Sequence, residues 1–94
     1  MLAIVLAGCS LGRPAADATG EEIYAQLCAR CHGIDLGGGV APPIGVGSPS
    51  AAESDEFLEF TVVNGRGRMP SFSTSLDDVQ LDRLVDYIRE EQAG

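Results

Sequence analysis

One pentapeptide, Cys28-Ala29-Arg30-Cys31-His32, constrains this chain more than any other stretch of its sequence. On a helical segment its two thiols lie one turn apart, and the imidazole follows directly after the second thiol. A C-x-x-C pair alone would also suit a thioredoxin-like redox site or half of a zinc site. With the adjacent histidine, C-x-x-C-H is the attachment signature of a c-type haem. The motif therefore predicts thioether bonds from Cys28 and Cys31 and iron ligation by His32.

The composition favours a small domain with a cofactor in its core. The chain has 94 residues, among them twelve glycines, three phenylalanines and no tryptophan. A chain of this size rarely gains enough stability from its own apolar side chains, and usually needs a cross-link or a cofactor. Covalent haem would supply both, because it is apolar and is bonded to the chain at two points.

The charge balance argues against two classes of partner. The formal net charge is −8, and all six basic residues are arginines. Nucleic-acid phosphates and anionic lipid headgroups repel such a surface, so neither is an expected ligand. The acid excess indicates a solvated surface or, as the alternative, a complement to a basic protein partner.

The N-terminal residues resemble a bacterial lipoprotein signal. The run from Met1 to Cys9 (MLAIVLAGC) is apolar but much shorter than the roughly 20 residues that span a bilayer. It suits the hydrophobic part of a signal peptide, and Leu6-Ala7-Gly8-Cys9 resembles a lipobox, which predicts lipidation of Cys9. No basic residue precedes the run, so a start further upstream and a small buried helix with a packed cysteine are alternatives.

Residues 10–19 are predicted to connect Cys9 to the domain. Residues 10–19 (SLGRPAADAT) show no hydrophobic periodicity and include glycine, proline and alanine. This composition is typical of a flexible segment. We therefore predict a signal remnant over residues 1–8, a lipid-anchored tether over 9–19 and one domain over 20–94.

Three helices are predicted within the domain. The first covers residues 20–28, and the second runs from Ala51 to Asn64 with Ser54 or Asp55 as its cap. The third follows a capping box formed by Asp77 and Gln80 and ends near residue 90. Between the first two helices, residues 33–47 form a glycine- and proline-rich loop that contains no phosphate-binding motif.

Taken in order, these features resemble the class I monohaem cytochromes c of the small bacterial, cytochrome c6-like type. Gly20-x-x-x-Tyr24 and Leu84-x-x-Tyr87-Ile88 resemble the two helices that cross in that family. Ala41-Pro42-Pro43-Ile44 resembles its G-P-x-L segment, and residues 64–72 (NGRGRMPSF) resemble the N-G-x-x-x-M-P-x-F loop. The resemblance covers residues 20–88 and implies an all-α fold, with about three main helices around one covalently bound haem c.

The resemblance also implies roles for particular residues. The Pro42 carbonyl would accept a hydrogen bond from the His32 ring, Ile44 would contact the haem, and Met69 would be the second axial iron ligand. A lone methionine is more often a core residue, but Met69 lies in a turn before a proline rather than on an apolar helix face. Two axial protein ligands imply transfer of single electrons, with neither an enzymatic reaction nor a small-molecule substrate.

Two functions remain open from the sequence. One is a lipid-tethered electron carrier on the outer, periplasmic face of the cytoplasmic membrane, in a respiratory or photosynthetic chain. The other is a fixed haem subunit of a larger membrane redox complex. Arg66 and Arg68 flank the methionine loop. We expect them either to contact a redox protein partner or the haem propionates, or to be solvated bases.

Overall fold

Four α-helices and one 3₁₀ turn make up the regular structure of residues 12–94, the part of the chain that the computed structural model describes. The helices are α1 (Gly20–Leu27), α2 (Ala29–His32), α3 (Asp55–Asn64) and α4 (Asp78–Gln92), and the 3₁₀ turn is Pro49–Ala52. The predicted all-α class is confirmed. No helix within residues 12–94 has the length and apolar character needed to cross a membrane. The predicted signal remnant and Cys9 lie outside the described residues.

Helix α1 begins at the predicted position because its first turn is capped. The Thr19 hydroxyl accepts a hydrogen bond from the Glu22 N–H at 3.1 Å, and the Glu22 carboxylate accepts one from the Thr19 N–H at 2.8 Å. This reciprocal pair is a capping box. One face of this helix is buried and consists of Ile23, Tyr24 and Leu27.

Helix α4 also has the capping box that its sequence predicts. The Gln80 N–H donates to the Asp77 carboxylate at 2.8 Å, and the Asp77 N–H donates to the Gln80 side chain at 2.9 Å. The helix then continues to Gln92 and buries one face. The apolar residues of that face are Leu84, Val85 and Ile88.

Helix α3 is shorter than predicted. The expected helix starts at Ala51, but that residue belongs to the 3₁₀ turn Pro49–Ala52, and α3 starts only at Asp55. Ser54 separates the two, with an extended backbone (φ −75°, ψ 161°) and a hydroxyl that accepts a hydrogen bond from the Phe57 N–H at 3.1 Å. A side-chain cap of this kind fixes a helix start even where the preceding alanines would favour helix.

Helices α1 and α4 cross with their main chains in direct contact at Gly20. A Cβ atom at Gly20 would lie 2.2 Å from the Arg83 carbonyl oxygen and 2.8 Å from the Tyr87 Cβ. One turn further along α1, the rings of Tyr24 and Tyr87 pack at a centroid distance of 5.6 Å and an interplanar angle of 49°. The absence of a side chain at Gly20 therefore sets how closely the two helices approach.

Residues 14–18, which we call the strap, pack against α4. Two α4 side chains, Gln80 and Arg83, donate hydrogen bonds to backbone carbonyls of the strap. The acceptors are the carbonyls of Pro14 (3.3 Å) and Ala15 (3.0 Å) for Gln80, and of Ala16 (3.1 Å) and Ala18 (3.3 Å) for Arg83. Pro14 and Ala18 are buried. Residues 14–18 of the segment predicted as a tether over residues 9–19 are therefore held on the domain.

Replacing Gly20 by alanine should separate α1 from α4. Alanine favours a helix more than glycine does, yet the clash with the Arg83 carbonyl should lower the free energy of unfolding by about 1–3 kcal/mol. Ala25→Gly, at an exposed position of the same helix, measures the propensity difference alone, about 1 kcal/mol. Denaturant titration of both variants tests this, and a Gly20→Ala protein more stable than the wild type would contradict the crossing.

Candidate functional site

The two motif cysteines lie where α1 meets α2. Cys28 ends α1, with its N–H bonded to the Tyr24 carbonyl at 2.9 Å, and the Cys31 N–H is bonded in turn to the Cys28 carbonyl at 3.2 Å. Cys28 is buried, Cys31 is half-buried, and neither forms a disulfide. Burial, and secondarily the nearby Cys31, raises the pKa of the Cys28 thiol to about 12. Both sulfurs are therefore free for thioether formation, and the Cys28 thiol is protonated at neutral pH.

The His32 ring has one nitrogen engaged and one left free to act as a ligand. Its Nδ1 lies 3.0 Å from the Pro42 carbonyl oxygen. A carbonyl only accepts hydrogen bonds, so Nδ1 carries the proton, and Nε2 holds the lone pair that could bind a metal. This is the contact that the family resemblance implies for Pro42.

The loop that carries Pro42 folds back on α2 through backbone hydrogen bonds. The Gly38 N–H donates to the His32 carbonyl at 2.7 Å, and the Ala41 N–H donates to the Cys31 carbonyl at 2.9 Å. Both carbonyls belong to the last turn of α2, where a helix leaves its carbonyls without internal partners. The loop therefore completes the end of the motif helix and places the Pro42 carbonyl beside the imidazole.

The far end of the same loop is fixed by two hydrogen bonds at Ile44. Its N–H donates to the Leu36 carbonyl at 3.0 Å, and its carbonyl accepts from the Gln92 side-chain amide at 2.9 Å. Ile44 is partly buried against the core. Sequence analysis did not identify Gln92, because its partner is a backbone group 48 positions away, which leaves no local pattern.

Met69 lies on a tight turn at the end of α3. The N–H groups of Arg66 and Met69 each donate to the other residue's carbonyl, at 3.1 and 2.9 Å, and Gly67 has a φ of 57° at the turn. After the turn, the Phe72 N–H donates to the Val62 carbonyl at 3.0 Å, which ties the chain back onto α3. Met69 is half-buried and packs against the core. The main chain at Met69 is therefore held by backbone hydrogen bonds on both sides.

The two arginines of this turn are both exposed. The guanidinium carbon of Arg66 lies 5.6 Å from the centre of the Phe57 ring, within the range of a cation–π contact. Arg68 occupies the solvent-facing side of the turn. The expectation that either arginine contacts a partner or a propionate remains a prediction.

The donor groups fit covalent haem. The motif region offers two free thiols, an imidazole with an available Nε2 and, on a separate loop, a thioether. The loop that follows the motif leaves three apolar side chains largely uncovered, since Ile34, Val40 and Val46 are between 69% and 85% exposed. Two attachment points, two ligand types and uncovered apolar side chains are what an apolar iron porphyrin requires.

A family profile described as cytochrome c oxidase, cbb3-type, subunit III matches residues 15–88. The chain is 31% identical to cytochrome c6 of Euglena viridis, over 81% of this chain and 93% of that protein. It is 36% identical to the cbb3-type cytochrome c oxidase subunit CcoP of Azospirillum sp. strain B510, over 90% of this chain. The match covers only 33% of CcoP, so the chain spans about a third of that relative's length.

A solved structure titled c-type cytochrome NirC superimposes with a TM-score of 0.64 at 32% sequence identity. The match covers 82% of this chain and 94% of NirC. The similarity therefore extends over almost the whole of that protein.

Gly65, at the end of α3, should control the position of the methionine turn. It has a φ of 77°, and a Cβ there would lie 2.5 Å from the Met69 carbonyl oxygen, whereas Gly67 (φ 57°) has open space around it. Gly67→Ala should lower the free energy of unfolding by about 1–2 kcal/mol through backbone strain alone. Gly65→Ala should lower the free energy of unfolding by more than Gly67→Ala does, because the new Cβ also meets the Met69 carbonyl, and it should speed hydrogen exchange at the Met69 amide. Equal effects in both variants would mean that the close approach at Gly65 is unimportant.

Proposed function

The chain belongs to the family of small class I c-type cytochromes, and on that basis we propose that it transfers single electrons with His32 and Met69 as the two axial iron ligands. Electron transfer is the function of the family, and its members carry covalently bound haem c. When bound, that haem supplies a reversible Fe(III)/Fe(II) couple. The roles of individual residues are our proposal, and the observation that carries it is the 3.0 Å contact between His32 Nδ1 and the Pro42 carbonyl.

That contact gives His32 the properties of a proximal ligand. The hydrogen bond fixes the tautomer and the ring orientation, and it increases the electron density on Nε2. Cys28 and Cys31 would form the two thioethers, and the helical segment from 29 to 32 keeps the imidazole adjacent to them. Ile44, held at both its N–H and its carbonyl, would contribute an apolar contact to the haem.

Met69 is supported as the second ligand by the rigidity of its turn. The backbone bonds between Arg66 and Met69, and the return of the chain to Val62, fix the main chain from which the Met69 side chain extends. A thioether is a neutral, soft ligand and stabilises Fe(II). If His32 and Met69 both held the iron, no coordination position would be left for a substrate, which favours an electron carrier over an enzyme.

We further propose a lipid anchor at Cys9, on the outer face of the cytoplasmic membrane. Support comes from the lipobox-like residues 6–9 and from the strap, which holds the chain that follows them on the domain, beginning with the bond from Gln80 to the Pro14 carbonyl. Residues 10–13 bridge at most about 17 Å between Cys9 and the strap. An anchor there would keep the domain near the membrane surface, within reach of a quinol-oxidising complex and of an oxidase, reductase or reaction centre.

A second candidate function is a fixed haem subunit of a membrane redox complex. The observation favouring it is the similarity to CcoP, a subunit of a cbb3-type oxidase. The two functions differ in whether a partner stays bound. Affinity purification of the protein from detergent-solubilised membranes should give the carrier alone, whereas a stoichiometric set of co-purifying subunits would favour the fixed subunit.

Replacing Met69 by alanine should remove the iron–sulfur bond. The oxidised protein should lose its sulfur-to-iron charge-transfer absorption band, its midpoint potential should fall, and the reduced protein should gain affinity for carbon monoxide. Leu76→Ala, at another half-buried apolar position packed against the core, is the control and should keep the band. Visible spectroscopy and redox titration measure these effects, and an unchanged Met69→Ala spectrum would identify a different sixth ligand.

Replacing Cys9 by serine should release the protein from the membrane without loss of colour. A single acyl chain holds a protein only marginally and several hold it stably, so removing the site of lipidation should move the haem-bearing protein into the soluble fraction. Ser10→Ala leaves the cysteine intact and should remain membrane-bound. Intact mass measurement of the membrane form is the direct test, and an unmodified N-terminal region would reject the anchor.

A further inference from the structure

Tyr24 contributes a hydrogen bond that the proposed function does not use. Its side chain is completely buried in α1, and its hydroxyl donates to the Gly33 carbonyl at 2.6 Å. Gly33 directly follows His32, and its carbonyl also accepts a hydrogen bond from the Leu36 N–H at 3.1 Å. One carbonyl next to the histidine therefore joins α1 to the beginning of the loop.

Leu36 is the next link between Tyr24 and the histidine. It is the only non-glycine residue with a positive φ among residues 12–94, at 61°, and its side chain is fully buried. Such a backbone is unfavourable for a branched side chain and persists only where its surroundings hold it. The surroundings of Leu36 include the Gly33 carbonyl, which accepts hydrogen bonds from both the Leu36 N–H and the Tyr24 hydroxyl. On its other side, the Leu36 carbonyl accepts the N–H of Ile44 at 3.0 Å.

Pro42 lies on the short span between Leu36 and Ile44. Its own contact with the site is the carbonyl, 3.0 Å from His32 Nδ1. The span is fixed at one end through Leu36, Gly33 and the Tyr24 hydroxyl. Its other end is fixed through Ile44 by the Gln92 amide. The position of the Pro42 carbonyl therefore depends on both ends of this connected set of hydrogen bonds, in addition to the bonds from Gly38 and Ala41 to the motif helix.

We propose that Tyr24 is a positioning residue for His32. Through Gly33 and Leu36, its hydroxyl sets the length of the hydrogen bond between His32 and Pro42, and with it the electron-donating strength of the imidazole. A tighter bond gives the ring more anionic character, which stabilises Fe(III) and lowers the midpoint potential. The inference rests on the proposed function only in taking His32 as the iron ligand.

The hydroxyl is suited to this role because it keeps its proton. Burial, followed by the effects of Cys28, Tyr87 and Asp35, holds the pKa of Tyr24 well above its usual value. The group therefore keeps its proton at neutral pH and can donate it to the Gly33 carbonyl. A phenylalanine of nearly the same volume would fill the space without the donor, so the change tests the hydrogen bond with little effect on packing.

The test compares Tyr24→Phe with Tyr87→Phe in the haem-loaded protein. Tyr87 is the ring packed against Tyr24, and its hydroxyl makes no hydrogen bond within residues 12–94. In the Tyr24 variant the midpoint potential should rise, and the His32 Nδ1–H proton resonance should move upfield as its hydrogen bond lengthens. Amide exchange at Leu36 and Ile44 should be faster by about two- to tenfold, the range expected for loss of one hydrogen bond. The Tyr87 variant should match the wild type in all three.

A Tyr24→Phe protein that is less stable but has an unchanged potential and Nδ1–H resonance would overturn the proposal, because Tyr24 would then serve packing alone. Equal shifts in both variants would overturn it as well. If Tyr24→Phe does not accumulate, 3-fluorotyrosine can replace tyrosine in the Tyr87→Phe background, where Tyr24 is the only tyrosine left. An unchanged potential and resonance there would count against the proposal. If the wild-type protein has no haem spectrum, the proposed function is rejected instead. Amide exchange at Leu36 and Ile44 would then still measure whether the Tyr24 hydroxyl stabilises the loop.

Discussion

The backbone contact between Gly20 and the Arg83 carbonyl is the constraint on which the rest of the structure depends. It brings α1 and α4 close enough for Tyr24 and Tyr87 to pack ring against ring. Helix α1 ends at Cys28, so the crossing also determines where the attachment motif begins relative to α4. An interior packed at the density of proteins transmits such a constraint, because a shift of one helix cannot be absorbed by empty space.

Helix α4 holds three separate parts of the chain by side chains spaced along it. Arg83 binds the strap, and Gln92 binds the Ile44 carbonyl in the loop that carries Pro42. Arg89 makes an ion pair with Asp55 at 2.7 Å and also donates to the Glu53 carbonyl, which fixes the start of α3. An exposed ion pair alone contributes little to stability. The additional bond to the Glu53 carbonyl means that Arg89 makes both contacts only when the start of α3 lies in this position. Binding to main-chain carbonyls is the feature common to all three contacts.

Local features were predictable from the residues themselves. The crossing of α1 with α4 and the contact between His32 and Pro42 were expected only from the family resemblance, and the other contacts between distant segments were not predicted. The capping boxes of α1 and α4 involve residues three positions apart, so both starts could be predicted, as could the position of the C-x-x-C-H motif on a helix. The predicted start of α3 at Ala51 was wrong because the alanines before Ser54 favour helix, whereas Ser54, one of the two predicted caps, decides the boundary. The strap depends on Gln80 and Arg83, more than 60 positions away. The sequence also gives no sign of the left-handed backbone at Leu36, because that conformation is usually adopted by glycine or asparagine.

The strap has a consequence for how such a domain can be joined to other segments. Gln80 and Arg83 bind backbone carbonyls, so their hydrogen bonds do not depend on which side chains residues 15–17 carry. Within the strap, only Pro14 and Ala18 are buried. The domain thus binds the strap through backbone contacts from α4. Substitutions at residues 15–17 should therefore be tolerated without changes elsewhere in the domain. The match to a third of CcoP shows that a domain similar to this one also occurs as one part of a longer chain.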